Sequence, residues 1–438
     1  MEFSFFTTAR RGIQRWFALP PGLVLALALI AAANLTKLSA VHFGPDRPVD
    51  FRPGYVGQWA LRHGLDPYQD PNIRASWRRI VAAEGLESRS TPGLPDQAFI
   101  YPPWAAAWMG LLLGALPYGL AYPLWYGVVV LALLAACFGM QRALARLEAP
   151  PLTMADLLLT ALALKGTVVA LINGQNTFLA LALAAGAWWA STAHHRTMAG
   201  LLLGLAAFKI TVALPFIGLF LLEKRWRSLG VAVATGAVLL ALFWSWAAQP
   251  LAYLASYRQL LDFVQYDVVR PTQPGYPLGR GMILQFELRN LLEFLRVGGH
   301  RWAGPTGVML GGLVLVKHWL LRRARQPFDA LYTLLLLHLL GLLFTYHVVY
   351  DALLLLPLLA YARAFSGRVQ AGLLALTAPF FLPINGLLDR LGQPVALQGL
   401  YFALPLATLG LLLYMLVLGS RRALPQPAMT RELAEVLD

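Results

Sequence analysis

Residues 200–216, GLLLGLAAFKITVALPF, place a single lysine, Lys209, inside a run of apolar residues that extends over 198–222. Runs of roughly 18 apolar residues or more are long enough to cross about 30 Å of hydrocarbon. An ammonium at that depth costs about 2.5 kcal/mol or more, so it lines a cavity, pairs with a partner or reaches an interface. Lys165 poses the same question nearer the end of its run, where snorkelling is the simpler account.

Similar runs recur along the chain, at about 19–41, 99–116, 119–141, 153–172, 175–192, 198–222, 229–248, 303–321, 328–346, 347–362, 369–385 and 397–419. The 438 residues are 58% hydrophobic and only 13% charged, where a soluble chain has roughly 25% charged residues. Lipid tolerates only helices or closed barrels. The expectation is an all-α polytopic membrane protein, a bundle of about 10–13 transmembrane or re-entrant helices. It has two longer external loops, 42–98 and 249–302. Residues 1–18 and 420–438 read as cytoplasmic tails flanking a single membrane domain, 19–419. The run 19–41 reads as an uncleaved anchor, too long for a signal peptide's apolar region.

The net charge of +14 is carried by short basic clusters between apolar runs. That is the positive-inside pattern and no sign of nucleic-acid binding. Arg10, Arg11 and Arg15, then Lys224, Arg225 and Arg227, then Lys317, Arg322, Arg323 and Arg325, and last Arg421 and Arg422 all read as cytoplasmic. Between loop 42–98 and Lys224 two foldings compete. Five full crossings put NGQN (173–176) inside and Arg142, Arg146 and Arg196 outside. Three net crossings, with one run re-entrant and 198–222 folded as a hairpin, reverse this and obey the charge rule better. Cys137 is the sole cysteine, so neither an intramolecular disulfide nor a cysteine metal site is possible.

No P-loop, dinucleotide fingerprint, HExxH or GxSxG is present. Chemistry falls to the loops and to polar groups at helix ends. In PVDFRPGYVGQWALRHGLDPY (48–68), Phe51, Tyr55 and Trp59 share one helix face, which suits a helix lying in the membrane interface. Asp50 precedes that helix, as an N-cap or as a catalytic carboxylate. YPPW (101–104) opens the second run; Tyr101 and Trp104 are ordinary interface residues or ligands. In NGQNTF (173–178), Asn173, Gln175 and Asn176 either cap two helices or hold sugar hydroxyls. Lys209 facing a cavity would bind an anionic phosphate. His347 and Asp351, with Tyr350 between them, lie four apart on one face, as a structural pair or a pair that orients a phosphate. No further metal ligands are evident beside them. Loop 249–302 offers Arg258, Arg270, Arg280, Arg289, Arg296 and Arg301, of which Arg280 lies in the flexible GYPLGRGM (275–282). Guanidinium forks suit phosphate, although ordinary solvated ion pairs explain such a loop equally.

Taken in order, DF…Y…GLDPY from Asp50, YPPW from Tyr101, NGQN from Asn173, GLLLGLAAFKITVALPF from Gly200 and EKRWR (223–227) resemble glycosyltransferase family 87. The resemblance spans 19–228; the later half is similar in hydrophobic layout and at His347 to Asp351. It implies a GT-C fold and a donor of polyprenyl-phosphate-linked sugar, typically mannose. It also implies a lipid- or glycan-linked acceptor and inversion at the anomeric carbon; no cofactor is expected, because no metal site is evident in the sequence. The catalytic Asp of the first external loop falls on Asp50, as general base. Lys209, Arg280 and His347, with Asp351, are the groups for the donor phosphate. Tyr101, Asn173, Gln175, Asn176, Tyr55 and Arg52 are those for sugar or acceptor. Arg52-Pro53-Gly54-Tyr55 departs from the family's paired aromatic after DF, and Asp46, Asp66 and Asp70 are rival bases. An O-antigen ligase or polymerase, or a transporter or flippase of lipid-linked sugars, are the competing classes. The ligases are expected to carry their main loop late in the chain, and transporters often show internal repeats; the informative motifs here come early and no repeat is evident.

Overall fold

Apolar segments that cannot leave backbone groups unpaired in lipid fold as helices, and every regular element among the described residues is helical. A computed structural model describes residues 19–40, 51–86, 99–146, 152–263, 292, 299–324, 329–344, 355–356, 367–381 and 394–418. The order is α1 (Pro21–Ala40), α2 (Phe51–Arg62), α3 (Asp70–Glu84), α4 (Pro103–Leu113), α5 (Tyr118–Arg146), α6 (Met154–Ala163), α7 (Lys165–Asn173) and α8 (Thr177–Thr192). Then come α9 (Arg196–Ala206), a 3-10 turn (Ala207–Lys209), α10 (Ile210–Leu222), α11 (Trp226–Trp246) and α12 (Pro250–Phe263). The remaining described helices are α13 (Gly299–Arg323), α14 (Ala330–Phe344), α15 (Gly367–Phe381) and α16 (Pro394–Leu418).

Polar bonds at the helix ends fix the directions. The Arg225 guanidinium donates to the Ser191 carbonyl at 2.7 Å, and the Ser228 hydroxyl donates to the Arg196 carbonyl at 2.9 Å. Arg322 donates to the Leu222 carbonyl at 2.7 Å. These bonds gather the α8–α9 turn, the α10–α11 turn and the end of α13 at one end of the bundle, here called the basic face. The Leu19 N–H donates to Asp156 Oδ1, and the Asn34 amide donates to the Leu162 and Ala163 carbonyls. So α1 and α6 run alongside in one direction.

Arg196–Leu222 is long and apolar enough to cross a membrane by length and composition, yet it does not cross as a rod. Its two ends meet at the basic face through the bonds above. Phe216 of α10 lies level with Trp188 of α8, at 6.3 Å between ring centroids. The backbone leaves the helical region at Lys209 (φ −118°, ψ 82°). The run therefore goes in as α9 and returns as α10, the hairpin of the three-crossing alternative. The complete traverses between loop 42–98 and Lys224 are α5, the pair α6–α7 and α8. The short α4 reaches inward only as far as the hairpin tip, where the Trp104 indole N–H donates to the Ala207 carbonyl at 3.0 Å.

The run 153–172 is broken, with α6 and α7 meeting at 78°. The carbonyls freed at the bend are satisfied, since Asn34 donates to Leu162 and Ala163 and the Thr167 hydroxyl donates to the Ala161 carbonyl. This is how non-helical backbone survives at membrane depth.

The expectation for α2 needs correction. It does not lie open in the interface. Phe51, Arg52, Gly54, Tyr55, Val56, Gln58, Ala60 and Leu61 are all buried. Helices α3 and α4 pack directly against it, and its aromatic face meets Tyr118, Tyr122 and Trp125 of α5. Protein, not lipid, takes up those rings.

Candidate active site

The turn NGQN reverses the chain between α7 and α8. Gly174 takes a left-handed conformation (φ 63°), which glycine adopts without steric cost. The Gln175 N–H closes the turn on the Ala170 carbonyl at 2.9 Å. Trp125 of α5 donates its indole N–H to the Gly174 carbonyl at 2.7 Å. Asn173 is half-buried; Gln175 and Asn176 are buried. The Asn176 side chain caps nothing, and neither its Oδ1 nor its Nδ2 has a hydrogen-bond partner.

Lys209 stands at the hairpin tip beside this turn. Its ammonium donates to Thr177 Oγ1 at 2.5 Å, at the first residue of α8. The tip is pinned from the other side by α4, through the Trp104 bond and through Trp108 stacked on Phe208 at 5.1 Å. NGQN, Lys209 and YPPW, far apart in sequence, thus share one place. Helix α8 has 16 residues and is roughly 24 Å long. That length separates this place from the basic face.

Helix α2 joins the cluster through Phe51, whose ring stacks on Trp125 at 5.9 Å. Asp50, the residue before Phe51 in sequence, lies outside the described residues, as do Asp46, Arg280, His347, Tyr350 and Asp351. Arg52 is buried with its guanidinium over the Trp77 ring of α3, 4.8 Å from the centroid. The Tyr55 hydroxyl donates to the Leu116 carbonyl at 2.7 Å, and burial pushes its pKa up to about 12. Tyr101 is half-buried, edge-on to Phe99 at 5.4 Å. Lys165 opens α7 at the bend.

Asp66 is buried in the α2–α3 turn, and Asp70 pairs with Arg74 on the surface. Asp66 Oδ1 accepts from the Tyr68 N–H at 2.9 Å. Burial raises its pKa, an effect partly offset by Ser256, Tyr68 and Gln69.

Two residues of this place escape sequence reasoning. Trp125 sits in an unbroken apolar run with nothing to mark it. Thr177 lies one residue past the amides of NGQNTF, where a lone hydroxyl gives no signal of a role. Among the described residues no three His, Cys, Asp or Glu side chains gather as metal ligands. A cavity of ≈ 430 Å³ between α15 and α16, lined by Arg368, Gly372, Pro379, Ala403 and Tyr414 among others, contains none of these site residues.

Comparison with known proteins adds one match. A sequence model of glycosyltransferase family 87 covers residues 99–357. No curated protein and no solved structure matches the chain. The matched range differs from the 19–228 expected above: it omits the segment from Asp50 to Tyr68 and takes in His347 to Asp351. It includes YPPW, NGQN and Lys209, the three stretches that converge, and more than half of the sequence. The chain belongs to glycosyltransferase family 87.

Proposed function

We propose that this protein moves a sugar, mannose in the first instance, from a polyprenyl-phosphate donor to a hydroxyl of a lipid- or glycan-linked acceptor. Transfer is a single inverting displacement on a GT-C scaffold. Asp50 takes the proton of the acceptor hydroxyl as its oxygen attacks the anomeric carbon. The phosphate leaves as an anion, with Lys209 beside it and with Arg280, His347 and Asp351 as further groups around the carrier. Tyr101, Asn173, Gln175 and Asn176 hold sugar hydroxyls, and Arg52 and Tyr55 shape the acceptor side from within α2. No metal or other cofactor is invoked.

One observation carries this assignment: a contact path from Phe51, the neighbour of Asp50, through Trp125 to the NGQN turn and on to Lys209. A base and a phosphate-binding cation belong on opposite sides of one anomeric carbon, and a cluster that holds both Phe51, next to Asp50 in sequence, and Lys209 supports that reading. The basic face is assigned to the cytoplasm by the positive-inside rule. The site then faces the exterior, where a lipid-linked donor rather than a nucleotide sugar is at hand, and both termini are cytoplasmic.

The test is transfer by the purified protein in lipid nanodiscs, with polyprenyl-phosphate mannose and a panel of lipid and glycan acceptors, read as polyprenyl phosphate released. Asp50→Asn is expected to lower the rate by about 10²–10⁴-fold, the usual worth of a general base, with donor binding retained. Full activity in Asp50→Asn beside loss in Asp46→Asn would move the base to Asp46. Absence of release with every acceptor would sink the donor assignment.

A further inference from the structure

Lys209 and α8 bring two positive ends together among apolar helices. The ammonium sits 2.5 Å from Thr177 Oγ1, and α8 begins at Thr177. A helix N-terminus carries roughly half a positive charge, and a cation placed there is unfavourable. Ionised groups at membrane depth add their own cost. An anion lying against both is favoured by each of them, since helix N-termini bind anions through their first N–H groups.

A second observation is independent of the dipole. Asn176 occupies the N-cap position and is 2% exposed, yet its side chain makes no cap bond and both of its polar atoms lack a partner. An N-cap Asn ordinarily accepts from the second or third N–H of its helix. Leaving a buried amide unpaired is costly. That cost is understandable where a ligand arrives to take up the amide. With Nδ2 as donor, Asn176, Lys209 and the first turn of α8 make a seat that offers donors and positive charge.

We infer that this seat holds the carrier phosphate, and holds the leaving polyprenyl phosphate more tightly than the intact donor. The inference rests on the donor class proposed above. In the donor the phosphate is a diester with one negative charge. On transfer the acceptor oxygen bonds to the anomeric carbon and the bond from that carbon to the phosphate oxygen breaks. Its electron pair stays on the phosphate, and the hydroxyl proton passes to Asp50. The phosphate becomes a monoester, carrying about −1.5 to −2 near pH 7 because its second pKa is about 6. A seat of ammonium, helix N-terminus and amide gains from the added charge. Its attraction grows as the bond breaks, which favours the transition state, and it leaves the enzyme holding its lipid product.

The experiment measures binding to the full chain in nanodiscs. The probes are polyprenyl monophosphate, polyprenyl-phosphate mannose, uncharged polyprenol and inorganic phosphate. At about pH 7.5 the monophosphate is expected to bind about tenfold more tightly than the phosphodiester, and the gap to narrow toward about pH 5 as the second proton returns. Lys209→Met should erase the gap and leave polyprenol binding unchanged. Asn176→Ala should narrow it, and Lys209→Arg should keep it. Equal affinities for monoester and diester at the higher pH would overturn the inference. So would a gap that survives Lys209→Met, or inorganic phosphate binding as tightly as the lipid. A Lys209-dependent gap without transfer from any donor would sink the donor assignment and uphold the seat. Transfer with no gap would do the opposite.

Discussion

Asp66 illustrates how burial and local geometry oppose each other at one residue. The turn needs its Oδ1, which accepts from the Tyr68 N–H, while its other oxygen is buried without a well-formed hydrogen bond. Its pKa is raised from the ordinary 3.8, chiefly by burial. Below the ordinary value both folded and unfolded states are protonated, and the group adds no penalty. As pH rises past the ordinary value the unfolded chain ionises freely while the folded turn holds its proton, until at the raised value it too must ionise, in a buried place. Stability present at low pH is therefore lost with rising pH. Asp66→Asn keeps an acceptor for Tyr68 and removes the charge. Hydrogen-exchange protection of the amides in 66–73 should fall as pH rises above the ordinary carboxylate range in the native chain and stay level in the variant. A parallel fall in both would assign the dependence elsewhere. In the sequence Asp66 is both a rival base and part of a turn before Pro67; the bond from the Tyr68 N–H shows what its carboxylate does in that turn.

At the scale of elements, the hairpin of α9 and α10 stood in the sequence as one of two competing foldings, the one that the charge rule favours. Its partner contacts were not legible there. Helix α9 packs parallel to α11 through Gly200 and Gly204, a four-residue spacing of small residues of the kind that lets membrane helices approach closely. A Cβ at Gly200 would lie 2.3 Å from the Ser228 carbonyl oxygen and 2.6 Å from Val231 Cβ. The carbonyl is backbone, so Gly200→Ala must push the helices apart, at about 1–3 kcal/mol. A Cβ at Gly230 in α11 would meet nothing within 4 Å, so Gly230→Ala should be neutral or gain up to about 1 kcal/mol from helix propensity. Thermal unfolding that lowers the midpoint for the first and not the second checks the crossing; equal effects would place the α9–α11 contact in error. Helix α2 and the α6–α7 bend show the limit of periodicity. Phe51, Tyr55 and Trp59 mark a face that needs burial, but the pattern does not say whether lipid or protein buries it. The bend at Leu164 has no proline, and what sustains it is Asn34, about 130 residues earlier in the chain.

For the whole molecule, one arrangement of charge and connection gives the two ends of the bundle different characters. The α8–α9 and α10–α11 turns and the end of α13 meet at the basic face. With them come Arg196, Lys224, Arg225, Arg227, Arg322 and Arg323. Opposite lie the NGQN turn, the α2–α3 layer and α12, which docks on that layer through the bond from the Tyr253 hydroxyl to the Gly64 carbonyl at 2.5 Å. Since lysine and arginine near membrane-spanning ends are retained on the cytoplasmic side, the two ends should be distinguishable by access. The chain lends itself to this, because its sole cysteine, Cys137, is buried in α5 and is replaced by alanine as background. His195→Cys puts a thiol at the exposed α8–α9 turn, and Gln69→Cys puts one at the exposed start of α3. In intact cells a membrane-impermeant maleimide should label the second and spare the first until the membrane is opened. Five full crossings before Lys224 would separate the α8–α9 turn from Lys224, which the Arg225 bond to Ser191 already opposes. Labelling of His195→Cys from outside would invert the whole molecule and move the donor site to the cytoplasmic leaflet. The case for a lipid-linked over a nucleotide-linked sugar would then lose its main physical reason.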